Sequence, residues 1–234
     1  MVTRSWTSRD TASIVRIVAS AAVVLALGFV LRHSVVDEPL ARFFNGFHEG
    51  LVATATDFLY WAFKASRAAV ITLVAAATVW GVRRDWRPAV RFAVTIGLTW
   101  LPVMVIKVLI GRPRPDPALL PHPYLPTPLD LSFPSGHTTF AVAFACAIIV
   151  ALGRTRWRVL ALLVAVIVAV AVPLSVLVAT VHYPTDVVGS LIWVFGAAPA
   201  ISRVLAPITS SVGPAGPATP DADPAPGYAG VPKR

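Results

Sequence analysis

The chain has 234 residues, of which 56% are hydrophobic and 13% charged, with a mean hydropathy of +0.74 and a formal net charge of +9. A soluble globular domain carries about 25% charged residues, so this composition excludes that class and points to an integral membrane protein. Nucleic-acid binding is excluded as well: the arginines stand as short punctuation between apolar runs, as in Arg83-Arg84-Asp85-Trp86-Arg87 and Arg154-Thr155-Arg156-Trp157-Arg158, the pattern of loops beside anionic lipid.

A bilayer core takes roughly 20 mostly apolar residues per helix. The first such run is 12–32. Arg4 and Arg9 precede it as they would a signal peptide, but Leu31-Arg32-His33-Ser34 offers no small-x-small cleavage site, so an uncleaved span is expected. Arg16 lies one turn inside it and can snorkel to the surface. The stretch 48–65 mixes His48, Asp57 and Lys64 with Phe58, Tyr60, Trp61 and Phe63, which reads as an interfacial amphipathic helix. Further spans follow at 67–82, 89–110, 135–153, 159–180 and 186–206. The expected fold is therefore all-α: a polytopic bundle of about six transmembrane helices with one extra interfacial helix, forming a membrane domain over 1–206.

Two stretches are not spans. Residues 111–133 carry prolines at 113, 115, 117, 121, 123, 126 and 128, which favours a stiff extended loop, and a loop this long suggests an active-site element. The Pro/Ala/Gly-rich tail, 207–234, is of low complexity and is expected to be disordered. With the N-terminus inside, Arg4, Arg9, Arg83, Arg84, Arg87, Arg91, Arg154, Arg156, Arg158, Arg203, Lys233 and Arg234 fall on the cytoplasmic side, against seven basic residues outside. Both termini are thus expected in the cytoplasm of a multi-pass plasma-membrane protein. The single cysteine, Cys146, lies in an apolar run, and no Cys/His spacing suits a metal ion, so it reads as a small buried hydrophobe.

This topology puts three polar clusters on the outer face: Lys107 with Arg112 and Arg114, Pro134-Ser135-Gly136-His137, and His182 with Asp186. Each has a plain structural use, as headgroup anchor, helix cap or local hydrogen-bonded pair. Ionisable groups converging at span ends, however, mark a functional site. Lys107 and Arg114 are cationic donors, and a guanidinium can hold two phosphoryl oxygens. At 134–137 the chain enters a helix whose free N–H groups attract an anion, Gly136 leaves the backbone open, and Ser135 can add a hydroxyl. Pro184 at the first helical position puts Asp186 in the first turn, where it can accept a proton from His182 and leave the other imidazole nitrogen free to attack phosphorus. His137 can protonate the leaving alkoxide and then deprotonate a water.

Lys107, six residues, Arg114-Pro115; Pro134-Ser135-Gly136-His137; and His182, three residues, Asp186 together resemble the signature of the type 2 phosphatidic acid phosphatase superfamily. The resemblance implies a helical bundle that dephosphorylates lipid phosphates or diphosphates without metal or other cofactor. It also implies His182 as nucleophile, His137 as acid/base, and phosphate contacts from Lys107, Arg114, Ser135 and Gly136. One position departs from the pattern: where the family has Ser-Arg, this chain has Ser175-Val176. Loss of one donor to the transition state costs about 3–4 kcal/mol in other enzymes, and Arg112, with Arg67 second, is the expected substitute. The expected activity is hydrolysis of a polyprenyl diphosphate, phosphatidate or phosphatidylglycerophosphate at the outer face. The alternatives are phosphoryl transfer to a lipid or sugar hydroxyl, and lipid-phosphate binding by a weakened site.

Overall fold

The structure, a computed structural model, describes residues 8–207 and 209; the expected tail lies outside these apart from 207 and 209. Among the described residues there are nine α-helices, one 3₁₀ turn and no β-strand. Helix α1 (Ser8–Leu31) is followed by two short helices, α2 (Glu38–Asn45) and α3 (Gly50–Ala62), and then by α4 (Ala65–Arg83). The third expected span is divided into α5 (Trp86–Trp100) and α6 (Pro102–Ile110), which form one apolar segment of 25 residues. The break falls at Pro102, which has no N–H to give to the carbonyl of Leu98. The chain continues through α7 (Gly136–Leu152), α8 (Arg158–Val178) and α9 (Pro184–Leu205).

Five segments are long and apolar enough to cross a membrane: α1, α4, α5–α6, α8 and α9. The sixth expected span is α7, apolar but only 17 residues long, which at about 1.5 Å per residue is the short end of what a bilayer accepts. Its position explains its composition. Helix α7 packs against α8, α5 and α9 together, while α1 covers α9, and α3 packs on α8. Thirteen of its 17 residues are buried, so it has no lipid-facing stripe. Lipid tails are as apolar as side chains, so close packing rather than water exclusion holds such helices together. Ala141, Ala143, Ala145 and Ala147 let the neighbours approach, and Phe140 and Phe144 fill the gaps against Trp100 and Phe92.

Polar ties fix the register. Trp193 Nε1 donates to the Thr99 carbonyl at 2.6 Å, and Ser190 Oγ donates to the Ser135 carbonyl at 2.9 Å. The 111–133 stretch is irregular except for one 3₁₀ turn, Pro117–Leu119. Its middle is pinned at His122, whose N–H donates to Asn45 Oδ1 at 2.8 Å and whose carbonyl accepts from Asn45 Nδ2 at 3.0 Å and His48 Nδ1 at 2.7 Å. Its end is pinned where Ser132 N donates to the Arg112 carbonyl at 2.9 Å. The loop is thereby laid across one end of the bundle, over the ends of α6, α7 and α9.

Candidate active site

Three local devices aim the polar clusters at one another. Helix α6 stops because Gly111 adopts φ 68°, a left-handed cap open to glycine, and this leaves Lys107 in the last turn. Ser135 caps α7, its Oγ accepting from Thr138 N at 3.3 Å. Pro184 opens α9, and Asp186 Oδ2 accepts from Tyr183 N at 2.8 Å. Between α8 and α9 the turn passes through Thr180 at φ 51°, an uncommon conformation for a β-branched residue, stabilised by its Oγ1 donating to the Leu177 carbonyl at 2.9 Å. That turn presents His182. Ser135 N donates to the Asp186 carbonyl at 3.2 Å, which joins the starts of α7 and α9 directly.

The result is a cavity of about 630 Å³ lined by Lys107, Arg114, Gly136 and His137 together with Tyr60, Lys64, Trp100, Met104 and Asp130. A separate cavity of about 320 Å³, between Arg83, Arg91 and Ser202, holds none of the expected site residues. Lys107 Nζ donates to Asp130 Oδ2 at 2.7 Å and to the Leu131 carbonyl at 2.6 Å. Arg114 Nη2 donates to Asp130 Oδ1 at 2.6 Å and its Nε to the Asp130 carbonyl at 2.9 Å, while Nη1 reaches the Val181 carbonyl. Burial alone would push the Asp130 carboxyl up, but Lys107 and Arg114 outweigh it and hold the group below the ordinary carboxylate range.

His182 lies behind Arg114, 1% exposed, with its Nε2 3.3 Å from Arg114 Nη1. Its Nδ1 faces Asp186 Oδ2 at 3.4 Å, within ion-pair range but without hydrogen-bond alignment. Burial first, then the charges of Arg114 and Lys107, push the His182 imidazole well below its ordinary value, so it is neutral. His137 stacks on Tyr60 with ring centroids 4.4 Å apart, and its Nε2 lies 3.1 Å from the Tyr60 carbonyl. A carbonyl only accepts, so Nε2 carries the proton and Nδ1 is the nitrogen left to exchange one. Burial pushes the Tyr60 phenol up to about 12.

Arg112 does not join this cavity. Its Nη1 donates to Asp186 Oδ1 at 2.7 Å, its Nη2 to Asp37 Oδ2 at 3.1 Å, and its guanidinium lies 4.3 Å from the Tyr183 ring centroid. It is 0% exposed, and two carboxylates neutralise it, so the expectation that it substitutes for the missing arginine is corrected. Arg67 is also committed elsewhere, lying over the Trp61 ring and donating to the Trp61 carbonyl at 2.8 Å. Val176, where the arginine was expected, is buried among Tyr60, Ala179, Val181 and Val187.

Sequence reasoning missed Asp130, Tyr60 and Trp100. The last has a buried indole N–H with no partner among the described residues, 3.8 Å from where a Cβ on Gly136 would stand. The one available signal was an acid, Asp130, in the loop that leads into the 134–137 turn. Among the described residues, no group of three or more His, Cys, Asp or Glu side chains is placed to hold a metal ion.

The family model of the PAP2 superfamily matches residues 88–209, just over half of the chain, including Lys107, Arg114, Asp130, Gly136, His137, His182 and Asp186. Undecaprenyl-diphosphatase BcrC of Bacillus subtilis (strain 168) is 35% identical over 100 residues, which cover 41% of this chain and 49% of that protein. The match thus spans about half the length of that curated relative. The crystal structure of a transmembrane PAP2-type phosphatidylglycerolphosphate phosphatase from Bacillus subtilis aligns with a TM-score of 0.63 over 81% of this chain and 94% of that one. At 19% identity this is a likeness of fold.

Proposed function

The chain belongs to the PAP2 superfamily, and on that premise we propose that it is a multi-pass membrane phosphatase that hydrolyses a lipid phosphate or diphosphate through a phosphohistidine on His182. One observation carries the proposal: Lys107 and Arg114 grip the two oxygens of a single carboxylate at 2.7 and 2.6 Å, beside the Nε2 of a buried imidazole. A phosphoryl group in place of that carboxylate would meet two cationic donors, the free N–H groups at the start of α7, and a nucleophile.

His182 Nε2 attacks phosphorus as the bond to the leaving oxygen breaks. His137, protonated on both nitrogens, gives its Nδ1 proton to that oxygen while the Tyr60 carbonyl holds Nε2. A water then loses a proton to His137 and attacks the phosphohistidine, which restores His182 and releases phosphate. Asp186, fixed by Tyr183 N and Arg112, faces the imidazolium side of His182 and offsets its charge during attack. The charge stabilisation in these steps comes from side chains, and we assign the reaction no metal.

A diphosphate is the preferred substrate class. It has the better leaving group, which suits a site with Val176 where the family places arginine, and the curated relative is by name an undecaprenyl-diphosphatase. The site lies at the end of the bundle opposite Arg83, Arg84, Arg87, Arg154, Arg156, Arg158 and Arg203. The positive-inside rule supports a site on the outer face, and we read the membrane as the plasma membrane and residues 1–206 as the catalytic domain.

Phosphate release from a panel of polyprenyl diphosphate, phosphatidate and phosphatidylglycerophosphate, with chelator present, tests this reading. Wild type is expected to turn over in chelator, while His182→Ala and His137→Ala lose activity by about 1,000-fold or more. Phosphorylated product on an added alcohol would assign a transferase instead. Phosphate binding without turnover would assign a binding protein.

A further inference from the structure

The chain places one of its own anions where a substrate phosphate would bind, and the surroundings of that anion separate two explanations. In a structural ion pair both partners are buried and neither can leave. Arg112 shows that arrangement, its two carboxylates, Asp186 and Asp37, being 0% and 8% exposed. Asp130 is different: its side chain is 54% exposed and faces the cavity, while Lys107 and Arg114 are 5% and 6% exposed. The cations also have anchors that do not involve the carboxylate, on the carbonyls of Leu131, Asp130 and Val181. They stay in place if the Asp130 side chain swings away.

We propose that Asp130 is a specificity-determining residue, an internal counter-anion that a ligand must displace from Lys107 and Arg114, and that it admits terminal phosphates while rejecting the phosphodiesters of the surrounding bilayer. This deepens the reading of the site as a lipid phosphatase and rests on it. A phosphodiester carries one negative charge over two free oxygens, as a carboxylate does, so the exchange gains nothing. A terminal phosphate carries about −1.5 to −2 at neutral pH and three acceptor oxygens, so it gains both charge and contacts. A membrane enzyme with a bare Lys107–Arg114 pair would be filled by headgroup phosphodiesters, which vastly outnumber its substrate.

Binding of inorganic phosphate and of dimethyl phosphate to the purified full chain in detergent, by calorimetry, tests the filter without using turnover. Wild type is expected to prefer phosphate over the diester by at least about tenfold, the scale of one charge-assisted contact. Asp130→Asn and Asp130→Ser are expected to tighten the diester about tenfold and phosphate by less, and Asp130→Glu to restore the preference. Weaker binding of both anions by Asn and Ser variants that melt like wild type would show that Asp130 only positions the cations, and would overturn the proposal. Diester affinity unchanged within twofold would overturn it too, as would a wild type that binds both anions equally or neither. The phosphatase reading fails separately, if wild type keeps this anion preference but releases no phosphate from any lipid.

Discussion

Arg112 holds Asp186 from behind: its Nη1 is 2.7 Å from Oδ1, while the other oxygen, Oδ2, faces His182 Nδ1 at 3.4 Å. The guanidinium thus fixes the residue that orients the nucleophile, and it bridges to Asp37 at 3.1 Å in the connection after α1. Arg112→Ala leaves two buried carboxylates without their cation, and breaking a buried pair in this way costs about 3–5 kcal/mol. We expect a clear fall in melting temperature in detergent, with Arg112→Lys in between. Wild-type melting with a raised KM alone would return Arg112 to the list of phosphate ligands.

The 134–137 turn is seated by a steric slot. Phe133, fully buried, lies between α1 and α9, where a Cβ on Gly28 would stand 2.8 Å from its ring and one on Gly189 would stand 2.6 Å from it. Neither neighbour leaves the ring room to retreat. Gly189→Val therefore forces Phe133, and with it Ser135 and Gly136, out of register; overpacking of this kind costs about 1–3 kcal/mol. Activity should fall together with stability. Phe133→Leu in the Gly189→Val background should recover part of both, so that the double mutant costs less than the sum of the singles. Strict additivity would mean that the two sites do not touch.

These relationships mark the border of what could be read in the chain. Spans were legible because hydropathy is a local property: Arg158–Val178 and Pro184–Leu205 fall within two residues of the runs at 159–180 and 186–206. The break at Pro102 was not, because one proline scarcely alters the hydropathy of a run of 22 residues. That Lys107, Arg114, Gly136 and His137 would meet at one cavity could be anticipated because each lies in a short motif whose chemistry is self-contained. Arg112 misled for the same reason. It sits two residues from Arg114, a spacing that in an extended segment puts both side chains on one face, yet Arg114 reaches Asp130 while Arg112 reaches Asp186. Asp130 and Phe133 act only through partners 16 or more positions away in the chain, and no local pattern encodes them.

The neutral state of His182 has a kinetic signature. Burial, then Arg114 and Lys107, all disfavour the imidazolium, so its folded value lies well below the ordinary imidazole range. The nucleophile is competent only when unprotonated. We therefore expect kcat/KM to stay level as pH falls through about 6.5, an ordinary histidine value, and to drop only at lower pH. Arg114→Gln removes one of the opposing charges, so His182 should protonate more readily. The acid limb should then move to higher pH while the plateau falls about 100- to 1,000-fold. A limb that stays in place in Arg114→Gln, or lies at 6.5 or above in wild type, would count against His182 as the attacking group.

Gly136 separates packing from ligand binding, because no neighbour demands a glycine there. A Cβ at this position would meet only Met104 Cε and Trp100 Nε1, both at 3.8 Å, which is ordinary van der Waals contact, and the backbone is right-handed helix. Alanine is also the better helix former by up to about 1 kcal/mol. Gly136→Ala should therefore fold and melt at least as well as wild type. The space that the methyl group enters, however, lies between the start of α7, where the N–H groups of Gly136 and His137 come before the first intrahelical bond, and the indole N–H of Trp100, unpartnered among the described residues. A phosphoryl group bound there would be pushed away from those donors. We expect the KM for a lipid diphosphate and the Kd for inorganic phosphate both to rise several-fold, with no loss of thermal stability. A variant that binds phosphate as tightly as wild type would move the anion away from the start of α7, and would leave Lys107 and Arg114 as its only firm contacts.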